Sequence, residues 1–375
     1  MFDYFKYLLS PVILGVNAYG LWRGGDYAWL GVGTLVAVLL FDALRKNDFT
    51  MRDQRQVWIY DVIVSLTVFA AFANLLFYVW LVGQDHFATT SSAVGAFASM
   101  MFLGFVVGAP PVHELFHREN AFQRWLGRMG QCMIFDPWRE ITHVITHHMR
   151  TATPDDPDYA RRGDTVYGHI LRTFPGQWKE AYHLEKMMWT KRGRAWWDVR
   201  NAWVYRVAQL AVFTAILVAI GGWKGAAFGI ATCLLGPRML LEVFNYVNHY
   251  GLVSATPGRF MKHHTWNHLT PGVRILALEI TNHAGHHDDS YKPFYQLEPD
   301  RNGPLQPHFF LCVLAAFVPP IWFAVIKPRL RDWDDRFATP QEREIAWREN
   351  ARAGWHDLNP PAVRTRLMRP GAAVA

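Results

Sequence analysis

The sequence predicts an all-α integral membrane protein in which six transmembrane helices carry a histidine-rich cap on the cytoplasmic side. Two observations lead to this fold class. Of the 375 residues, 51% are hydrophobic and only 18% are charged, and apolar stretches of membrane length alternate with polar ones. In addition, nine of the 17 histidines fall in four short sets beside or just beyond the apolar stretches.

The first half of the chain contains four apolar runs, each close to the roughly 20 residues that a spanning helix needs. Residues 4–22 and 27–44 are joined by the short turn Arg23–Asp26, so they form a helical hairpin. An Arg- and Lys-rich loop follows and is expected to stay in the cytoplasm. Residues 57–82 and 93–111 form the next two spans, and the loop between them has no Lys or Arg.

The second half contributes the last two spans, residues 203–222 and 225–244, as a second hairpin. Residues 309–326 are also apolar, but they contain Pro319-Pro320. Because proline interrupts a straight helix, this stretch is predicted to be a buried or interfacial segment.

The polar segments 112–202 and 245–375 form the predicted cap, so residues 1–375 make one membrane-embedded catalytic domain. The distribution of Lys and Arg places both termini and the cap in the cytoplasm, as in a multi-pass protein of a bacterial-type inner membrane. This topology brings all four histidine sets to one face, which a shared metal site requires.

The first histidine set, VHELFHR (Val112–Arg118), follows the fourth span directly. His113 and His117 are four residues apart, so on a helix they share one face and can hold one metal ion. The sets HVITHH, NHYG and NHAGHH follow later in the chain. The nine candidate metal ligands are His113, His117, His143, His147, His148, His249, His283, His286 and His287.

Adjacent histidines within a set favour two metal ions over one. On one helix the side chains of His147 and His148 point about 100° apart. One of them can pair with His143 at a spacing of four residues, and the other then reaches a second metal or a different face. Imidazole suits Zn, Cu, Fe and Ni. Such a site beside an apolar bundle predicts oxygen chemistry on a lipophilic substrate.

Several neighbouring residues are candidates for supporting roles. Glu114 and Asn245 are predicted to orient a ligand imidazole. His263, His264 and His268 are left open between a supporting and a structural role. Further carboxylates and amides close to the sets are Asp136, Glu140, Glu242, Glu279, Asn282 and Asp288. Isolated histidines expected to be structural are His86, His169, His183, His308 and His356.

Two rival functions follow from the same residues. HELFH also matches H-E-x-x-H, in which the glutamate of a zinc protease acts as general base. A protease needs one further ligand, however, and this chain offers seven further histidines. A metal transporter would need many ionisable residues inside the spans, and these are few.

The histidine sets, together with KHHTWNH (262–268), LEITNHAGHH (278–287) and KPRLRDWDDRFATPQERE (327–344), resemble those of the membrane di-iron hydroxylases of the alkane monooxygenase type. These belong to the fatty acid desaturase-like superfamily. Thr142, Thr146 and Asn248 depart from the alkane-type pattern, and they agree with the branch that acts on aromatic methyl groups, that of the xylene monooxygenases.

The resemblance implies that the nine histidines hold two iron ions. It also implies O2-dependent hydroxylation of a xylene- or toluene-type benzylic methyl group to benzyl alcohol. The alternative is terminal hydroxylation or desaturation of an alkane or fatty-acyl chain.

The electrons for this chemistry have to come from outside the chain. The sequence has no Gly-rich dinucleotide fingerprint and no cysteine cluster, since Cys132, Cys233 and Cys312 stand singly. We therefore expect electrons from NADH to arrive through a separate reductase with an iron–sulfur or rubredoxin-type carrier. The net charge of +7 is explained by cytoplasmic Lys and Arg, and no nucleic-acid partner is expected.

Overall fold

A computed structural model describes residues 3–367 of the chain. Within this range the elements are helices, and the only β-type pairing is an isolated bridge between Asn267 and Leu305. The prediction of an all-helical fold is therefore confirmed. The remaining positions of the predicted domain, 1–2 and 368–375, lie outside the described residues.

The chain begins with a helical hairpin. A 3₁₀ turn, Asp3–Leu8, leads into α1 (Leu9–Arg23). The chain then reverses at Gly24 and Gly25, whose φ angles of 64° and 53° are tolerated by glycine because it has no Cβ. Helix α2 (Leu30–Ala43) returns antiparallel to α1.

The next two helices form a second antiparallel pair. Helix α3 (Val57–Gly83) is continuous, and α4 (Thr90–Phe116) contains a π-helical segment, Gly104–Gly108. Thr89 and Ser92 form a capping box that satisfies the backbone amides at the start of α4. Helix α4 ends with the first histidine set, as the sequence predicted.

Nine further α-helices of at least six residues complete the described part of the chain. Helix α5 (Ala121–Gly130) and the amphipathic helix α6 (Val166–Lys191) precede α7 (Ala202–His249). Helix α7 breaks at Gly222 (φ 61°, ψ −173°) and has a π-helical segment, Leu234–Arg238. The later helices are α8 (Pro271–Leu276), α9 (His283–Asp288), α10 (Phe309–Ala316), α11 (Pro319–Arg336), α12 (Pro340–Arg352) and α13 (Pro361–Leu367).

In the described part of the chain, four helical stretches are long and apolar enough to cross a membrane. These are Gly25–Ala43, α3, α4 and α7. Large apolar side chains on them face outward, among them Phe41, Leu66 and Val212, each more than half exposed, which suits contact with lipid.

Three of the predicted spans look different in the structure. The predicted spans 203–222 and 225–244 both lie within α7, on either side of the break at Gly222. The predicted span 4–22 is built from a 3₁₀ turn and the 15-residue α1, and it is not among the four stretches.

Glycines let the backbones of α3 and α7 approach closely. Gly83 of α3 lies against Gly221, and Gly225 lies against the carbonyl of Val79. A Cβ on Gly221 would overlap the Val79 carbonyl oxygen, so only glycine allows this approach. Small residues at helix contacts are the usual means of close packing in membrane proteins.

Replacing Gly221 with alanine should therefore destabilise the fold by about 1–3 kcal/mol, because one of the two backbones has to move. The matched control is Gly33→Ala in α2, where an added Cβ meets no heavy atom within 4 Å. Thermal unfolding of both variants in the same detergent measures the difference. Equal midpoints for the two variants would contradict this packing.

Candidate metal centre

The four histidine sets meet in one place, although they lie up to 174 positions apart in the sequence. They are carried by the end of α4, a π-helical segment at Thr142–His147, the end of α7, and α9. Each set thus lies at a helix end or in a short helix at the base of the bundle. As the sequence predicted, all four reach one side of it.

The first cluster, which we call the distal quartet, consists of His113, His117, His143 and His286. One ring nitrogen from each lies within 4.8 Å of the others. Nε2 of His143 is 2.9 Å from Nε2 of His113 and 3.5 Å from Nε2 of His286.

The second cluster, the proximal quartet, consists of His147, His249, His283 and His287, again with ring nitrogens within 4.8 Å of one another. Nε2 of His283 is 2.8 Å from Nε2 of His249 and 3.2 Å from Nε2 of His287. Two nitrogen ligands of one ion at metal–nitrogen distances of about 2.1 Å lie about 3.0–3.4 Å apart, so both quartets have the spacing of a metal site.

The ninth histidine, His148, lies between the quartets. Its Nε2 is 3.1 Å from Nε2 of His143, and its ring stacks on that of His287 with a centroid distance of 4.4 Å. It is therefore within reach of either metal position. The structure brings all nine predicted ligands together, while metal ligation itself stays a prediction.

The π-helical segment changes the pairing that α-helical geometry predicts. On an α-helix His143 would pair with His147, four residues later. In the wider π turn His143 instead meets His148, five residues later, and His147 enters the proximal quartet. One segment thereby supplies ligand candidates to both quartets.

In three of the four histidines of the proximal quartet, hydrogen bonds at Nδ1 turn the Nε2 atom toward the centre of the quartet. His147 Nδ1 donates to Asp156 at 2.8 Å, and His283 Nδ1 donates to the carbonyl of Ile280 at 3.0 Å. The Thr151 hydroxyl donates to the His147 carbonyl, so its oxygen is left to accept from Nδ1 of His287 at 3.2 Å. Each bond places the proton on Nδ1 and leaves a lone pair on Nε2, as a metal ligand requires.

Buried nitrogens without a protein partner support the same conclusion. Nε2 of His147 and both ring nitrogens of His117 are buried and have no hydrogen-bond partner. Unpaired polar atoms in a protein interior are costly, and a metal ion would satisfy them. The residues present therefore fit metal ions at both quartets.

The electrostatics keep most of these imidazoles neutral. Burial and neighbouring histidines hold the pKa of His143, His148, His286 and His287 well below the usual value for histidine. His147 differs: burial lowers its pKa, but Asp156 and Asp158 outweigh this effect and raise it. Neutral imidazole is the form that binds metal.

A buried ionic network lies next to the proximal quartet, on the Nδ1 side of His147. Arg139 bonds to Asp136 at 3.0 Å and to Glu242 at 2.5 Å, and it lies 3.6 Å from Asp158. Asp158 in turn lies 3.7 Å from Nδ1 of His147. Asn245 donates to Asp158 at 3.2 Å, so its predicted influence on a ligand imidazole would pass through that carboxylate.

Glu114 directly follows His113 of the distal quartet, and its side chain is held by two contacts. Its carboxylate forms an ion pair with Arg118 at 2.8 Å and accepts a hydrogen bond from the backbone amide of Phe294 at 3.2 Å. The bond to Phe294 connects α4 to the segment after α9. The predicted role of Glu114 in orienting an imidazole stays untested, and the protease role gains no support because the carboxylate is engaged by Arg118.

The three histidines left open by the sequence lie outside both quartets. His263 and His264 share Glu342 of α12, at 3.1 and 2.5 Å. His264 Nδ1 accepts from the Met261 amide, so its Nε2 carries the proton and donates to Glu342. His263, His264 and Glu342 lie close enough together to hold an ion. The proton on Nε2 of His264, however, favours a structural hydrogen bond to Glu342 over metal binding. His268 donates to the carbonyl of Pro307.

A large apolar cavity reaches the distal quartet from the membrane side. Its volume is about 160 Å³, and His113 and His143 line its inner end. The walls come from α2, α4, α7, α8 and α10. Among the lining residues are Leu35, Phe102, Phe105, Ala109, Phe244, Ile280, Phe309 and Leu314.

Sequence reasoning missed Asp156, Asp158 and Thr151, which orient or approach the proximal histidines. They lie in the segment T-A-T-P-D-D-P-D, only three to ten positions after His148. A carboxylate that follows a histidine set within one short turn-forming segment was the available signal. The sequence could not tell which of its three aspartates points inward.

Comparison with known proteins places this geometry in a family. A family model described as fatty acid desaturase matches residues 89–301, and the chain belongs to this family. It is 35% identical to the xylene/toluene monooxygenase hydroxylase component of Pseudomonas putida over 355 residues, which cover 94% of this chain and 96% of that protein.

Alkane 1-monooxygenases are further relatives. The protein from Ectopseudomonas oleovorans is 27% identical over 349 residues, covering 88% of this chain and 86% of its own. The one from Acinetobacter baylyi is 28% identical over 247 residues, 63% of this chain and 60% of its own. The chain is thus an oxidoreductase related to monooxygenases, as the sequence motifs predicted.

The bond between Asp156 and His147 can be tested by substitution. In Asp156→Asn, an amide nitrogen can face Nδ1 and favour the wrong tautomer of His147, so metal affinity should fall about 10–100-fold. Asp155→Asn is the matched control, since Asp155 is the exposed neighbour. Equilibrium dialysis against ferrous iron measures both, and equal affinities would contradict the role of Asp156.

Proposed function

We propose that the protein hydroxylates a methyl group of a small apolar molecule with O2, converting a xylene- or toluene-type benzylic methyl to the alcohol at two iron ions. The observation that carries this proposal is the apolar cavity that ends on His113 and His143. A cavity of about 150 Å³ lined by Leu, Ile and Phe is known to bind benzene. The volume of about 160 Å³ found here therefore suits a single aromatic ring.

The nine histidines are the proposed iron ligands, four from each quartet and His148 between them. Bound iron would supply the activation of O2 and the insertion of one oxygen atom into a C–H bond. The reaction balances as R–CH3 + O2 + 2 H⁺ + 2 e⁻ giving R–CH2OH and H2O. The name of the relative from Pseudomonas putida supports the aromatic substrate.

The residues of the cavity position the substrate and exclude water. Few polar side chains face it, and the two largest are engaged elsewhere: Arg139 with Glu242, and Asn245 with Asp158. The Thr281 hydroxyl is the one lining group without a protein hydrogen-bond partner, so a charged substrate would find no charged partner there. A methyl group can therefore lie beside His113 and His143 in a dry environment, in which the geometry of approach is restricted.

Terminal hydroxylation or desaturation of an alkyl chain is the second candidate. The wall formed by α4 runs from Phe102 to His113, which corresponds to about 16 Å along a helix. An elongated slot of this length accommodates a medium alkane. The alkane 1-monooxygenases among the relatives support this reading.

The proposed topology has six crossings, both termini and the cap (residues 112–202 and 245–375) in the cytoplasm, and the site facing the cytoplasm of an inner membrane. Support comes from α7, whose 48 residues are more than twice the length of one crossing and break at Gly222. Asp3–Arg23 would supply the remaining crossing, antiparallel to α2.

Substrate choice separates the two candidates. Membranes that contain the protein and an NADH-dependent reductase, when given p-xylene and octane together, should form 4-methylbenzyl alcohol as the main product. A His286→Ala variant should form neither alcohol and serves as the control. Formation of 1-octanol without any benzylic alcohol would overturn the aromatic assignment.

We also propose a docking face for the separate electron carrier, an iron–sulfur or rubredoxin-type protein reduced by NADH. Ile145, Met149 and Met261 are between 38 and 56% exposed, and they flank the histidine sets. The amide of Gly258 donates to the Met149 carbonyl, which brings these segments together. The exposed cations Arg150 and Lys262 border this apolar face, each in a long ion pair, with Glu180 at 3.6 Å and with Asp288 at 3.5 Å. Such loosely paired surface cations suit an acidic partner.

Reversing both charges, in Arg150→Glu with Lys262→Glu, should raise the KM for the electron carrier about tenfold at low salt, because steering depends on charge. The rate at saturating carrier should change little. Lys224→Glu is the control, since Lys224 lies beside the break in α7, at the opposite end from the histidines. NADH-driven turnover at increasing carrier concentration measures all three proteins, and an unchanged KM in the double variant would exclude this face.

A further inference from the structure

Two π-helical segments face each other inside the helix bundle, Gly104–Gly108 in α4 and Leu234–Arg238 in α7. A Cβ on Gly104 would lie 3.2 Å from the ring of Pro237, and Gly236 packs on the carbonyl of Met101. Wide helical turns are uncommon and occur often at functional sites. Where these two turns meet, the side chains do not fill the space between the helices.

The space left is a small apolar cavity of about 30 Å³, separate from the substrate cavity. Leu75, Met100, Gly108, Val112, Ile134 and Cys233 are among the residues that line it. The one hydroxyl in the lining, that of Thr232, donates to the carbonyl of Gly229 at 2.7 Å. A buried water needs two to four polar partners, so this cavity favours a small apolar molecule over water.

The position of this cavity connects it to the reaction. Ile134 is buried and lines both the small cavity and the substrate cavity, so one side chain separates the two. Val112 lines the small cavity and directly precedes His113. A small molecule held here would be one side chain away from the distal quartet.

We propose that this cavity binds dioxygen on its way from the membrane to the metal centre, with Ile134 as the barrier that O2 passes. The inference rests on the proposed function, which consumes O2. Dioxygen is apolar and prefers hydrocarbon to water. A hydrophobic substrate that fills the large cavity would block O2 from entering by the same way, and a separate small cavity avoids that conflict.

Gly108→Ala tests the cavity directly. The added Cβ would lie 3.6 Å from the Leu103 carbonyl oxygen and 3.8 Å from the Ala71 Cβ, which is ordinary contact. Because Gly108 and Ala71 both line the small cavity, we expect the added methyl group to reduce its volume. Ala71→Val fills the same void from α3 and serves as a second variant. Gly33→Ala is the matched control, a helical glycine with open space around it.

Xenon is the probe for the site. Crystals of the wild-type protein under xenon pressure should show a xenon atom between Gly108 and Ile134, and so should the Gly33→Ala control. The Gly108→Ala and Ala71→Val variants should lose it. An ordered water at this position in the wild-type protein, or no xenon there, would overturn the proposal.

Steady-state kinetics tests the route. Both filled variants should show a KM for O2 raised about threefold or more, with the rate at saturating O2 unchanged, because only access is altered. If xenon binds in the wild-type cavity but the KM for O2 is unchanged in both filled variants, the route is refuted. If the protein consumes no O2 with any substrate, the proposed function fails, and the xenon result alone then decides whether an apolar gas site exists.

Discussion

The structure depends on holding nine imidazoles in two small buried volumes. Each ring must be aimed, and each must present a lone pair instead of a proton. The protein achieves this in the proximal quartet with acceptors at Nδ1, namely the Asp156 carboxylate, the Thr151 hydroxyl and the Ile280 carbonyl. Burial supplies the rest, because it disfavours charged imidazolium. The helix bundle, the buried ionic network behind His147 and the apolar cavity all serve this arrangement.

The apolar cavity and the histidine quartets adjoin because the same helices contribute residues to both. Helix α4 carries both part of the cavity wall and His113, so the distance between the apolar wall and this histidine is set within one helix. The end of α7 contributes Phe244 to the cavity and His249 to the proximal quartet. Placement on helices fixes these groups more tightly than loops would.

Much of this organisation is predictable from the sequence. The apolar runs and the four histidine sets are strong local patterns, and the structure places all nine histidines together. Local patterns could not predict the π turn at Thr142–His147, because this turn depends on the packing around it. α-Helical spacing therefore pairs His143 with His147, whereas in the structure His143 meets His148. The sequence could not predict that Asp156 bonds to His147 or that Glu342 bonds to His264, since these residues meet only in the folded chain.

The π-helical segment in α4 has a consequence for chain length. A π turn adds one residue to the helix, and each residue of an α-helix turns the chain by about 100°. If one residue between Gly104 and Gly108 were deleted and the segment relaxed to an α-helix, everything after it would rotate by about that angle. His113 and His117 would then point away from the distal quartet, even though every histidine was retained. The number of residues between the apolar part of α4 and its two histidines is therefore as important to the site as the histidines themselves.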